Sequence, residues 1–274
     1  MARVTVPPGT TSLASYGANG DVLVFSEGDQ TVSAGLDKSG LAEGFAGIEF
    51  GSGWRGVISA ASPLLCDVDN GAGAYVSILS SAALICITPK GDDNLIHRLR
   101  LLGSATCQLV GAQGTVTRAE VAAGRLVVSE QVTVTNLDTV GGTVTAYYHA
   151  SPAAVFTTVN VNGGSVHSGR SFTTAKVSAG LLNVGREDSS LTLPTGGTLE
   201  ITGGKVIWRG GNITTLVVRG TGVFDASMAT QPFTISSLEV DATAKRNSKF
   251  QSPNATITLP GTPTVRCDVS DTVP

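Results

Sequence analysis

Between residues 117 and 240 the chain repeats one short pattern: two hydroxyl or polar residues, a few strictly alternating positions, a glycine, and another short alternating run. The pattern is clearest in "TRAEVAAGRLVVS" (117–129), "TTVNVNGGSVHSG" (157–169) and "TTAKVSAGLLNVG" (173–185). The apolar positions Val159 and Val161, Val177, Leu191 and Leu193, Leu199 and Ile201, Leu216 and Val218, Leu238 and Val240 keep a period of two. That is the period of a half-buried strand, not of a helix. Units start near Thr117, Thr135, Thr157, Thr173, Ser189, Thr198, Thr214 and Ser236, most of them 16 to 22 residues apart, with a half-unit between Ser189 and Thr198. Corners are expected at Gly124, Gly141–Gly142, Gly163–Gly164, Gly180, Gly196–Gly197, Gly203–Gly204 and Gly220, because glycine turns a chain through positive φ without steric cost.

A unit this short cannot bury its own apolar face, but stacked copies can, with equivalent Val and Leu positions forming internal columns. The pattern therefore predicts an all-β fold, a parallel β-helix or β-solenoid of short glycine-cornered strands; a stack of hairpins sharing a twisted sheet is the other arrangement compatible with it. The expected division is an N-terminal arm with capping strands over 1–55, the solenoid over 56–250, and an extended tail over 251–274 that carries Pro253, Pro260, Pro263 and Pro274. Both end segments are expected to cover exposed sheet edges. "DNLIHRLRLLG" (93–103) fits either a short helix or a strand, and Trp208 in "KVIWRGG" fits either the core or an outward contact.

Composition agrees and narrows the chemistry. Charged residues are 14% of the 274, aromatics 5%, and glycine contributes 34. Net charge is −3, and no basic cluster is dense enough to replace counterions on a phosphate backbone, so no nucleic-acid partner is expected. The densest basic run, "KRNSK" (245–249), reads as a solvated turn. No apolar run is long enough to span a bilayer as a helix, so no membrane partner is expected, and "MARVTVPPGTTSL" has no signal-peptide core.

No catalytic residue, metal ligand or cofactor site is assigned. Cys66, Cys86 and Cys107 lie 20 and 21 residues apart, close to one solenoid turn, and stacked turns would set them in a ladder; together with Cys267 they read as inert buried thiols. The pairs Asp67/Asp69, Asp92/Asp93 and Glu187/Asp188 flank turns and do not converge as a glycan-cleaving site would require. His97, His149 and His167 lack a Ser, Cys or Asp at catalytic spacing and read as surface or interface residues. The Asp67–Gly71 stretch fails as a calcium loop, since its glycine falls at position 5 rather than 6 and position 12 is no bidentate Glu.

The segments "GDVLVF" (20–25), "GLDKSG" (35–40), "SGWRGVIS" (52–59), "LRLLGSA" (99–105), the 198–227 block ending in "VFDAS", and the closing 234–258 strand region come in a fixed order. Together they resemble a family of tailed-bacteriophage virion proteins. Lys38 stands where the family pattern usually has Gln. The resemblance implies a non-enzymatic head decoration or cement protein, made in the host cytoplasm and carried on the capsid surface. It would be bound to the major capsid protein as a homotrimer, with its termini reaching to neighbouring subunits. A tail fibre or tailspike β-helix that binds or cleaves host glycan is the alternative.

Overall fold

The computed structural model describes residues 2–8, 10, 13, 15–28, 31–32, 37–38, 44–66, 68–89, 94–111, 113–148, 155–185, 193–250, 252, 257–258 and 265–266. They fall into two compact units, Met1–Ala154 and Val155–Pro274. Each unit is a parallel β-solenoid.

In the first unit the strands are β1 (Arg3–Thr5), β2 (Val22–Gly28), β3 (Thr31–Val32), β4 (Asp37–Lys38), β5 (Gly47–Trp54), β6 (Val57–Ile58), β7 (Leu64–Cys66), β8 (Tyr75–Ile78), β9 (Leu84–Pro89), β10 (Leu95–Leu101), β11 (Thr106–Leu109), β12 (Gly114–Val121), β13 (Arg125–Val128), β14 (Val132–Thr139) and β15 (Thr143–Ala146). One ladder runs β1–β2–β5–β8–β10–β12–β14, every pair parallel. A second runs β3–β6–β9–β11–β13–β15, also parallel. Register turns the period-two pattern into internal columns. Leu23, Ile48, Val76, Leu99, Ala119 and Leu137 are successive partners in the first ladder, all at most 1% exposed. Phe25 stacks on its register partner Phe50 at 4.7 Å, and Trp54 packs against both.

The strands of the 1–55 segment stack as rungs of the solenoid: β1, β2 and β5 in the first ladder, β3 in the second, and β4 on β7. The leader expected to reach outward as an arm packs back in its described part. β1 pairs with β2, the Arg3 guanidinium donates to the Glu49 carboxylate, and Val6 and Leu13 are buried. Two apolar anchors and a charged one hold it to the body of the unit. "DNLIHRLRLLG" resolves as the strand β10, flanked in register by β8 and β12 on its two sides. The expected cysteine ladder is not formed. Cys86 is in register with Gln108, Cys107 with Ile85 and Leu126, and Cys66 with Pro89. The step from β9 to β11 is 22 residues (Leu84 to Thr106), so a spacing of 21 misses by one position. Cys86 and Cys107 are free, buried thiols, and burial pushes the Cys107 thiol far above its ordinary range.

The second unit contains β16 (Phe156–Ser168), β17 (Phe172–Gly185), β18 (Gly196–Ile201), β19 (Lys205–Arg209), β20 (Ile213–Val218), β21 (Val223–Asp225), β22 (Phe233–Asp241), a single helical turn and a half α1 (Ala242–Asn247), β23 (Ile257–Thr258) and β24 (Val265–Arg266). The ladder β16–β17–β18–β20–β22 is parallel throughout, as is β17–β19–β21 beside it. Val161, Val177, Ile201, Val218 and Val240 form one buried column. The half-unit expected at Ser189 lies outside the described residues. Thr198 is the second residue of its polar pair, in register with Thr174, so Gly197 takes the first place.

Trp208 is fully buried, packed edge-on against Phe172 and tilted against Phe233, with its indole N–H donating to the Gly211 carbonyl at 3.0 Å. It fills the space that Gly196 leaves open in the column Phe156–Phe172–Gly196–Ile213–Ile235. The basic run expected to be a turn begins inside α1. Asp241 caps that helix by accepting the Ala244 N–H at 2.7 Å, and Arg246 and Asn247 are exposed.

Candidate interaction surface

The leading polar pair of each repeat has a common structural role. After the inward residues Ile96, Val116 and Val134, two consecutive residues turn outward before the alternation resumes: His97–Arg98, Thr117–Arg118 and Thr135–Asn136. The second unit repeats this with Thr157–Thr158, Thr173–Thr174, Thr214–Thr215 and Ser236–Ser237. Two adjacent outward side chains mark a bend in the strand, and a bend facing water favours polar residues at both places.

In the first unit the outward positions of β10, β12 and β14 form a grid of three rows. The rows read Arg98, Arg100, Leu102; then Arg118, Glu120, Ala122; then Asn136, Asp138, Val140, aligned by register and by the backbone bonds that continue it. Glu120 is the hub. It accepts from Arg98 Nε at 3.1 Å and Arg100 Nε at 3.1 Å, and Arg118 Nε lies 3.1 Å away while also donating to Asp138 at 2.9 Å. Partial burial pushes the Glu120 carboxyl up, but the surrounding guanidinium groups outweigh it and hold the group below the usual carboxylate range. Each pair is worth little alone because the arginines remain exposed. Together they tie the three successive rungs β10, β12 and β14 across the outer face.

Beside the charged columns runs an apolar one. Leu79 is 46% exposed, Leu102 44% and Val140 62%, and with Ala122 they occupy equivalent positions just after β8, β10, β14 and β12.

In the second unit Thr158, Thr174, Thr198, Thr215 and Ser237 form a hydroxyl column along one face. Next to it Asn160, Asn162, Lys176, Ser178, Glu200 and Thr202 line a shallow depression of about 260 Å³. The Ser178 hydroxyl donates to Asn162 Oδ1 at 2.6 Å, and Lys176 lies 3.7 Å from Glu200.

The histidines separate. His97 Nε2 lies 2.9 Å from Asp69 Oδ1, a contact between a strand and the turn of the preceding rung that sequence spacing does not reveal. An oriented His–Asp pair is two thirds of a hydrolytic triad, and no serine or cysteine is bonded to it among the described residues. His167 faces its register partner Asn183 at 3.4 Å. His149 lies outside the described residues, as do Asp67, Asp92, Asp93, Glu187 and Asp188. Among the described residues no group of three or more His, Cys, Asp or Glu is placed to hold a metal ion, and no helix is long and apolar enough to cross a membrane.

The "VFDAS" segment has a local physical explanation. Asp225 is nearly buried, pairs with Lys205 at 2.8 Å, and accepts both the Ser227 N–H at 3.1 Å and the Ser227 hydroxyl at 2.6 Å. Burial pushes its carboxyl up, but these donors more than offset that and bring it down to about 2 from an ordinary 3.8. A carboxyl depressed in the folded state stabilises above its unfolded value and loses that contribution as pH falls through its folded value. Asp225→Asn is therefore expected to lower stability by about 2 kcal/mol near pH 7. It is also expected to flatten the loss that the parent shows between about pH 4 and about pH 2; urea unfolding across that range checks both.

No family model, no curated protein and no solved structure matches the chain.

Proposed function

We propose that this protein is a structural component of a tailed-bacteriophage virion, a decoration or cement protein that binds the major capsid protein on the outer surface of the head. The observation that carries the reading is where the resemblance segments lie. "GDVLVF" supplies the first half of β2, "SGWRGVIS" the end of β5 and all of β6, "LRLLGSA" closes β10, and "VFDAS" builds the Lys205–Asp225–Ser227 contact. Each contributes to holding a rung in place. Stacked rungs that present a regular outer face within each unit suit lateral adhesion. Many copies on one lattice gain avidity, so each contact can be modest.

The test is copy number in purified particles together with binding of the protein to undecorated heads. The expected result is on the order of hundreds of copies per particle and saturable binding to heads. Copy numbers in the single or low double digits would reject the head assignment.

The polar depression at Asn160, Lys176, Ser178 and Glu200 favours a second reading, a tail fibre or tailspike that engages host glycan. Release of reducing sugar from host polysaccharide would establish that reading in place of the first.

A further inference from the structure

The depression on the second unit lies over three successive rungs, and its lining differs in kind from the ion-paired face of the first unit. One column runs Asn160, Lys176, Glu200 in register across β16, β17 and β18. Beside it stand Asn162, Ser178 and Thr202, all three exposed. Ser178 sits at a bulge: the register passes from Val161 against Val177 to Asn162 against Ala179, so β17 carries one residue more than β16 there. A bulge re-aims a side chain, and here the Ser178 hydroxyl donates to the Asn162 amide oxygen at 2.6 Å. We infer that this depression is a binding site for a neutral oligosaccharide, which it holds without cleaving. The inference rests on the second reading above in taking the depression as the place where glycan is engaged, and adds the class of glycan and the absence of hydrolysis.

The chemistry of the lining selects that class. Lys176 and Glu200 stand 3.7 Å apart, so an acidic ligand drawn to the ammonium group would meet the carboxylate. The amides of Asn160 and Asn162 and the hydroxyls of Ser178 and Thr202 carry no charge and belong to groups that both donate and accept. A sugar hydroxyl also does both. Glu200 accepts from one hydroxyl of a vicinal pair while Lys176 donates to the other. An apolar partner finds nothing to pack on, because Val177, the one apolar lining residue, is 1% exposed. Hydrolysis in the usual manner takes two carboxylates flanking the bond, and Glu200 is the only carboxylate in the lining.

Geometry sets the size and direction of the ligand. A volume of about 260 Å³ falls just below the roughly 300–1,000 Å³ of pockets that enclose a small molecule, so the site covers one face of one or two sugar rings. Rungs repeat every 4.8 Å or so, close to the advance per ring of an extended glycan chain, and the hydroxyls of Thr158, Thr174 and Thr198 flank the column on its other side. The glycan therefore runs along the stack, across the strands. No aromatic ring lines the site to stack on a sugar, so the dissociation constant lies in the millimolar range.

The experiment presents the full chain, clustered on beads so that weak contacts add, to an array of hexose and N-acetylhexosamine oligosaccharides, neutral and acidic. Neutral members are expected to bind. The strongest of them, titrated in solution, is expected to saturate with a dissociation constant of about 0.1–10 mM that shifts less than about twofold between about 50 and about 500 mM NaCl. Ser178→Phe, which fills the depression, and Glu200→Ala, which removes an acceptor, are each expected to weaken it at least about tenfold. Both side chains point outward, so circular dichroism of each variant should match the parent. No reducing sugar is expected from the bound glycan. An array without neutral hits, binding confined to acidic glycans, binding that survives Ser178→Phe, or hydrolysis of the bound glycan would each overturn the inference. Copy number in particles is read separately: hundreds of copies would reject a tail fibre and leave the sugar site standing.

Discussion

Trp208→Ala is expected to cost about 4 kcal/mol, the largest loss of any single substitution considered for the second unit. The indole is fully buried, touches Phe172 and Phe233, and its N–H is bonded to the Gly211 carbonyl. Two of the ring's neighbours are glycines, whose Cβ positions would lie 3.1 Å (Gly196) and 2.8 Å (Gly210) from it, so neither has a side chain to turn into the space. Removal of the ring therefore leaves a cavity rather than a collapsed core. Trp208→Phe keeps an aromatic contact and loses the N–H bond, and should cost about half as much. Denaturant unfolding measures both, and Trp54, the other tryptophan in the chain, stays as a fluorescence reporter for the first unit. A loss below about 1 kcal/mol for Trp208→Ala would mean that the ring does not carry this core.

Gly124→Ala is expected to cost about 3 kcal/mol, and Gly71→Ala about 1. Both glycines lie in the first unit with left-handed backbones, φ +70° and +81°. They differ in what a side chain would meet. A Cβ at Gly124 would fall 2.3 Å from the Ala105 carbonyl oxygen and 2.6 Å from that of Gly103 on the rung before, whereas at Gly71 nothing lies within 4 Å. The Gly71 variant therefore isolates the cost of the dihedral, and the difference between the two measures the crowding between stacked corners. The same crowding recurs at Gly142, whose Cβ would lie 2.6 Å from the Gly124 oxygen. Equal losses for the two variants, measured by thermal and urea unfolding, would show that the corners are not packed rung on rung.

The experiments bear on different links of one argument. The two core substitutions test whether side chains and corners are packed as the register requires. Asp225→Asn tests whether the Lys205–Asp225–Ser227 contact serves to hold a rung.

Much of this solenoid was legible because period-two alternation and recurrent glycine are local properties of the chain. The valine and leucine positions read as inward at Val161, Val177, Ile201, Val218 and Val240 are the buried column of the second unit. The pairing of Thr117 with Thr135 and of Thr157 with Thr173 follows from the register of their neighbours. Quantities that depend on the length of a rung were not legible. Rungs differ in length, 20 residues from Leu95 to Thr115 but 24 from Phe172 to Gly196, and a one-residue error turns a side chain to the opposite face. That is why the cysteine ladder dissolves and why Thr198 slips by one place.

What the amino-acid sequence determined by itself is the class of fold, the inward set of apolar residues and the corners, since each depends only on a residue and its near neighbours. What tertiary structure alone decided is which residues from different rungs share a surface. Trp208 is placed inside by the space at Gly196, His97 beside Asp69 by a contact across rungs, and three arginines around Glu120 by the register of β10 with β12. Side chains about 20 positions apart in the chain become neighbours only when backbone hydrogen bonding sets the rungs in register, and no short-range pattern encodes that distance.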